Sequence, residues 1–160
     1  MLSILQSKLS PPRLEKTIDR NRLQRLATEI LDKRLTTVIA GAGYGKTTFA
    51  AQSAQSLNIN TVWYRLDPSD RDITTFLSYL IAGIRKYNER MGLKTIRRIE
   101  QAQFLHRERE AIFRTFVQEL ESILKDDLLI VLDDYHAIAD ISEIGECVLY
   151  LLENAPPQLH

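Results

Sequence analysis

The stretch that most constrains this chain is Ala40-Gly41-Ala42-Gly43-Tyr44-Gly45-Lys46-Thr47-Thr48. Before it runs Leu35-Thr36-Thr37-Val38-Ile39, short, β-branched and apolar, which reads as a buried strand. After it, Thr48 to Leu57 reads as a helix. Strand, glycine-rich loop and helix in that order form the context in which a phosphate-binding loop is credible. The residue types suit that task. Backbone N–H groups can converge on phosphate only if the chain wraps tightly and no Cβ intervenes, which Gly41, Gly43 and Gly45 allow. The helix beginning near Lys46 adds free N–H groups and the positive end of its dipole. Lys46 is placed to reach the β- and γ-phosphates of a nucleotide, and the Thr47 hydroxyl to coordinate Mg²⁺. The strict Walker A pattern has glycine where this chain has Ala40, so Gly41 and Gly43 are expected to supply the turn.

A length of 160 residues predicts one domain. Lys plus Arg is 21 and Asp plus Glu is 21, so nothing in the charge balance points to a basic nucleic-acid surface. Cys147 is the only cysteine, which excludes an internal disulfide and a cysteine metal cluster; it reads as core filler on an apolar helical face. No apolar run approaches a membrane span and no signal-peptide pattern opens the chain, so a cytoplasmic location is expected.

Along the chain, Lys8 to Leu14 with Pro11 and Pro12 reads as an extended strap. Asp19 or Asn21 can cap a helix carrying Leu23, Leu26, Ala27, Ile30 and Leu31. Thr61 to Leu66 reads as a second strand, broken by Asp67-Pro68-Ser69-Asp70. A helix starting at Asp70 or Asp72 presents Phe76, Leu77, Leu80, Ile81 and Ile84. Tyr87 to Gly92 connects it to a basic stretch, Leu93 to Phe104, with a short helix hinted by Ile96 and Ile99. Arg107 to Leu124 is an amphipathic helix, and the charges of Arg107 to Glu110 read as its solvated face. Leu128 to Leu132 is apolar on both faces, as a central parallel strand should be. Asp140 with Glu143 forms a capping-box pattern for a last helix, which Pro156-Pro157 closes.

The strand Leu128 to Leu132 runs into Asp133-Asp134-Tyr135-His136, a Walker B pattern. It delivers Asp133 to the carboxyl edge of the sheet, where open α/β sheets bind ligands. There Asp133 can hold Mg²⁺ and Asp134 can orient and deprotonate an attacking water. His136 reads either as a neighbour of the γ-phosphate or, more commonly for such a residue, as a hydrogen-bonded turn residue. His106 and His160 carry no signal. The base is expected to be adenine, because the nearest stretch to a guanine-reading Asn-Lys-x-Asp element, Leu124-Lys125-Asp126-Asp127, lacks the asparagine.

Several of these elements together resemble a known family. Lys8-Leu9-Ser10 with Pro12-Arg13-Leu14, the loop Ala42 to Thr48, the Trp63 strand, Leu66-Asp67 with Asp70, Phe76-Leu77 with Tyr79-Leu80-Ile81-Ala82, and Asp133-Asp134-Tyr135-His136 come in one order. That order resembles the amino-terminal nucleotide-binding domain of MalT-type (LuxR-family) transcriptional activators, STAND-class ATPases related to AAA+ proteins. The resemblance covers nearly the whole chain. It implies an α/β fold: a P-loop NTPase three-layer sandwich with a parallel sheet, incomplete at the C-terminus, with strap and helix over 1–34 and the Walker A to Walker B core over 35–160.

The resemblance further implies an ATP/ADP-gated switch with Mg²⁺, resting with ADP and self-associating with ATP in the full-length setting. In it the strap helps enclose the adenine, which places Pro11, Pro12, Arg13 or Arg20 near the base. Family members continue with a sensor strand, a winged-helix region, a helical-repeat sensor and a LuxR-type DNA-binding domain. No direct DNA binding is therefore expected of this segment, which reads as a fragment, a truncated product or a stand-alone remnant. The sensor strand lies between the two Walker strands and would begin just after His160. Without it, Leu35 to Ala40 and Leu128 to Leu132 are expected to close up and pair, displacing Asp134 from the water and impairing hydrolysis. The expected activity is thus nucleotide binding with slow or absent ATP hydrolysis. The alternatives are an actively hydrolysing AAA+-type motor or loader and, lacking a visible acceptor pocket or lid, a phosphotransferase.

Overall fold

The computed structural model describes residues 3–14 and 26–160. Its helices and strands are, in chain order, α1 (Lys46–Leu57), β1 (Asn60–Arg65), α2 (Ile73–Ile84), α3 (Leu93–Gln101), α4 (Leu105–Ile123), β2 (Leu128–Asp133) and α5 (Ser142–Asn154). The fold is α/β with a small, open parallel sheet. β1 and β2 pair in parallel, with Val62 opposite Ile130 and Arg65 opposite Asp133. A parallel pair needs a long crossover, and α2, α3 and α4 provide it.

The core lies between the sheet and these helices. Val62, Tyr64, Phe76, Leu77, Leu80, Ile84, Phe116 and Leu120 are all essentially inaccessible, so the 3.6-residue stripes of α2 and α4 turn into the same core as the strands, as their spacing predicts. Helix α2 comes so close to β1 that a Cβ at Gly83 would lie 2.4 Å from the Val62 side chain. Asp72 caps α2 by accepting from the Thr75 amide at 2.9 Å. Gly92 turns the chain into α3 with φ +77°, and the buried Glu119 carboxylate accepts from the Lys94 and Thr95 amides at that helix's start. The free edge of β1 is covered in part by Tyr87, whose hydroxyl bonds both Thr61 N–H and Thr61 C=O.

Four expectations need correction. Leu35 to Ile39 has no regular secondary structure and pairs with no strand among the described residues, and Leu35, Val38 and Ile39 are exposed, Ile39 to 91%. β-branched apolar residues suit a buried strand, but a strand exists only where a neighbour takes its N–H and C=O groups. The expected closure of this segment onto β2 is likewise absent. The outer edge of β2 is taken by Gln158 to His160 instead: Leu128 N–H donates to Gln158 C=O at 2.8 Å and Ile130 N–H to His160 C=O at 2.9 Å, while Leu128 C=O accepts from His160 N–H at 3.0 Å. Third, Asp140 does not cap α5. It forms a two-pronged ion pair with Arg71, and Ile141 stands at the N-cap with no side-chain hydrogen bond. The capping box lies earlier, at Asp67 and Asp70. Fourth, the strap is not extended from Lys8: Gln6–Leu9 forms a 3₁₀ turn, and the chain becomes extended at Ser10.

Candidate functional site

The loop from Ala40 to Gly45 turns with Gly43 at φ +77° and Gly45 at φ +81°, conformations in which a Cβ is strained. Gly41 has no positive φ; a Cβ there would meet the Tyr44 ring at 3.1 Å, so its smallness answers to packing. Ala40 needs no positive φ either, which explains why alanine serves where the strict pattern has glycine. The turn is thus supplied by Gly43 and Gly45, not by the expected pair Gly41 and Gly43.

Helix α1 starts directly from Gly45. Its first backbone bond runs from Phe49 N–H to Gly45 C=O, leaving the Lys46, Thr47 and Thr48 amides open at the positive end of the helix. The Lys46 ammonium folds over the loop and donates to Ala40 C=O at 2.9 Å and Gly41 C=O at 3.0 Å. Ala42 and Tyr44 are exposed on the loop, Tyr44 to 73%.

The two motifs meet at one hydrogen bond: Thr47 Oγ1 donates to Asp133 Oδ1 at 2.9 Å. The other carboxylate oxygen, Asp133 Oδ2, is buried and has no hydrogen-bond partner. Burial is the main reason that the Asp133 pKa stands above its ordinary value; the Thr47 bond lowers it in part, and the Asp134 charge raises it. An orphaned carboxylate oxygen beside a hydroxyl is an oxygen donor set that a hard cation takes. Among the described residues no group of three or more Asp, Glu, His or Cys could cage a metal alone. Thr47 and Asp133 offer two oxygens; Mg²⁺ typically takes one or two from protein, with phosphate and water completing its shell.

Asp134 follows in the left-handed region at φ 58°, with its carboxylate 3.9 Å from His136 Nδ1. His136 is largely exposed, within the 3₁₀ turn Tyr135–Ala137. Arg13 is exposed and makes no hydrogen bond or ion pair with another described residue; Arg20 lies outside the described residues. A cleft of about 540 Å³ is lined by Thr36 to Ala40, by Gly45, Lys46 and Phe49 of the loop and helix start, and by Leu26, Glu29 and Lys33. Pro11, Pro12 and Arg13 do not line it.

Sequence reasoning missed two clusters. Lys8 is buried in a carboxylate cage of Asp67 and Asp70. A second anchor is His160, whose ring lies 3.2 Å from Lys33 C=O and 3.4 Å from Asp127 Oδ1, tying the edge of β2 to the residues before the loop. The Asp67-x-x-Asp70 spacing of a capping box was a legible signal for the first; the second had none.

No protein-family model matches the chain. Over 157 residues it is 35% identical to the HTH-type transcriptional regulator MalT of Yersinia pestis (strain Pestoides F), a match covering 98% of this chain and 17% of the relative. The MalT of Serratia proteamaculans (strain 568) is 36% identical over the same share of each chain. The chain thus spans about a sixth of the length of the curated relatives it matches. Among the described residues no helix is long and apolar enough to cross a membrane.

Proposed function

We propose that this chain is the nucleotide-binding switch domain of a MalT-type transcriptional regulator, binding ATP or ADP with Mg²⁺ in the cytoplasm. The observation that carries the reading is the Thr47–Asp133 bond with the orphaned Asp133 Oδ2 beside it. It joins the phosphate loop to the strand-end carboxylate, as a nucleotide–metal site requires. The open amides of Lys46, Thr47 and Thr48, with the Lys46 cation, hold the phosphates. Thr47 and Asp133 hold the metal, which when bound neutralises charge on the phosphates. Asp134 orients a water, and the exposed turn in which it sits suits slow hydrolysis. The similarity to MalT over 98% of the chain supports a regulatory role. In this reading self-association in the ATP state belongs to a full-length setting, and this segment does not itself bind DNA.

The experiment is a titration with a fluorescent ATP analogue together with a turnover assay. Lys46→Ala is expected to weaken binding by about 1.5–3 kcal/mol, the range for hydrogen bonds to charged groups. Equal affinities for wild type and variant would sink the reading. A switch turns over well below the roughly 1 per second at the bottom of the usual enzyme range; a rate above that would favour a motor of AAA+ type.

A further inference from the structure

We propose that Lys8 is a positioning residue for the metal-site carboxylate Asp133, acting through the turn that ends β1. This rests on the nucleotide–metal reading of the loop and Asp133. The Lys8 ammonium is buried and donates to Asp70 Oδ2 at 2.6 Å and Ser69 Oγ at 2.9 Å, with Asp67 Oδ2 at 2.8 Å. Asp70 is fully buried. Its second oxygen accepts from Tyr64 OH at 2.9 Å, and its Oδ2 also accepts from the Asp67 amide at 2.8 Å. Asp67 Oδ1 in turn accepts from the Ser69 amide at 2.8 Å. One cation from the amino-terminal segment thereby joins three side chains of the turn 67–70, Asp67, Ser69 and Asp70, whose carboxylates in turn hold the turn's own amides.

The turn's neighbour in sequence is Leu66, whose N–H donates to Asp133 C=O at 2.9 Å. That bond is the last rung between the two strands, because Asp134 leaves the strand in the left-handed region. Asp133 is thus held at two points: its side chain by Thr47 and its backbone by Leu66. The backbone hold is only as firm as the turn behind it. Without Lys8 the buried Asp70 and the half-exposed Asp67 lose their cation, and the turn that presents Leu66 N–H loses its clamp. Partners that orient a metal-ligating side chain commonly set metal affinity as strongly as this. The same cage docks the segment itself, alongside Leu5 N–H on Tyr79 OH and Lys86 on Leu9 C=O.

The test compares wild type, Lys8→Arg, Lys8→Met and Lys8→Met with Asp70→Asn in the full chain. The last variant removes the buried Asp70 charge together with the cation and leaves charged only the half-exposed Asp67; the asparagine oxygen can still accept from the Asp67 amide and its NH₂ donate to Tyr64 OH, so this variant is expected to fold even if Lys8→Met alone does not. Affinity for ATP is measured with Mg²⁺ and with EDTA, and hydrogen exchange is followed at the Leu5 and Lys8 amides. The double variant is expected to lose about tenfold in the Mg²⁺-dependent part of ATP affinity, keep its metal-free affinity, and exchange faster at both amides. Lys8→Arg, which keeps the cation, is expected to hold the Mg²⁺ dependence within a few-fold of wild type. Faster exchange with unchanged Mg²⁺ dependence would overturn the positioning role and leave only a structural anchor. Unchanged exchange would overturn the docking of the amino-terminal segment by the Lys8 cage, and the positioning role with it. If wild type shows no Mg²⁺ dependence while Lys46→Ala still weakens binding, the metal role of Asp133 fails, and this proposal with it, but the phosphate loop stands.

Discussion

Thr47 Oγ1 and Asp133 Oδ1, separated by 86 positions in sequence, lie 2.9 Å apart. The bond satisfies one carboxylate oxygen and leaves Oδ2 buried and unpaired. A buried acceptor without a partner is a cost that a site carries when something else is to be bound there. The asymmetry between the two oxygens therefore separates the roles of Asp133 and its neighbour.

Asp133→Asn and Asp134→Asn should differ in phenotype. Asparagine at 133 keeps the acceptor for Thr47 but removes the charge that draws a cation, so nucleotide affinity with Mg²⁺ should fall towards the metal-free value. Asp134 is half-exposed and bonded to no group of the loop, so Asp134→Asn should leave affinity unchanged and abolish residual hydrolysis. Titration of each variant with and without Mg²⁺, beside a phosphate-release assay, checks this. Identical behaviour in both assays would refute the division of roles.

The same substitution at two helical glycines should have opposite signs. Gly83 faces β1, and a Cβ there would lie 2.4 Å from Val62 Cγ1 of a fully buried valine. Gly83→Ala forces helix and strand apart and should cost roughly 1–3 kcal/mol, the usual range for overpacking. Gly145 sits in α5 with nothing within 4 Å of its Cβ position. Gly145→Ala should stabilise by roughly 0.5–1 kcal/mol through lost backbone freedom in the unfolded chain. Urea unfolding of the two variants measures both changes.

The Lys8 cage predicts an acid limb in the stability profile. The Asp67 pKa is lowered from 3.8 to about 2, chiefly by its hydrogen bond with Lys8 and then by those with Ser69. A carboxylate with a depressed folded-state pKa stabilises fully above its unfolded value and loses that contribution as pH falls through the folded one. The gap in stability between wild type and Asp67→Asn should therefore be constant above about pH 4 and close between about pH 4 and 2. Burial alone would lower the Lys8 pKa, but its bonds and charge interactions with Asp70 and Asp67 outweigh it and raise the pKa above 10.5. On the alkaline side the cage should thus persist beyond the ordinary lysine range. Unfolding midpoints across the pH series read this directly.

What the sequence disclosed followed from which forces act locally. α2 and α4 were legible because a 3.6-residue apolar stripe and a capping residue such as Asp72 are carried by neighbouring positions. The positive φ of Gly43 and Gly45 was likewise written in the residue type. Leu35 to Ile39 was misread because strand residues record a preference for burial, whereas a strand also needs a partner backbone that lies elsewhere in the chain. Asp140 was misread for a similar reason. Its spacing from Glu143 fits a capping box, but Arg71 reaches it from across the fold with two hydrogen bonds, outcompeting a single bond to a helix amide. Thr47 and Asp133 were each assigned to the metal because they belong to two phosphate-site motifs, but the direct bond between them was not foreseen; Lys8 with Asp70, which belongs to no motif, was not read at all.

The segment Leu35 to Ile39 supplies the last prediction. Its backbone makes no hydrogen bond to another described residue, whereas Val62 to Tyr64 and Leu128 to Ile130 lie in a paired sheet. Amides 35–39 should therefore exchange with solvent orders of magnitude faster than those of the paired strands. The exposed Ile39 adds a second readout. A surface substitution away from packed or bonded features is usually worth less than about 0.5 kcal/mol, so Ile39→Lys should leave unfolding stability nearly unchanged. It should also lower any tendency to aggregate, since an unpaired apolar edge is the template on which strands add. Light scattering on heating, beside hydrogen exchange at amides 35–39, measures both. Slow exchange there together with a loss of several kcal/mol in Ile39→Lys would mean that this edge is covered in solution, by a strand laid along it.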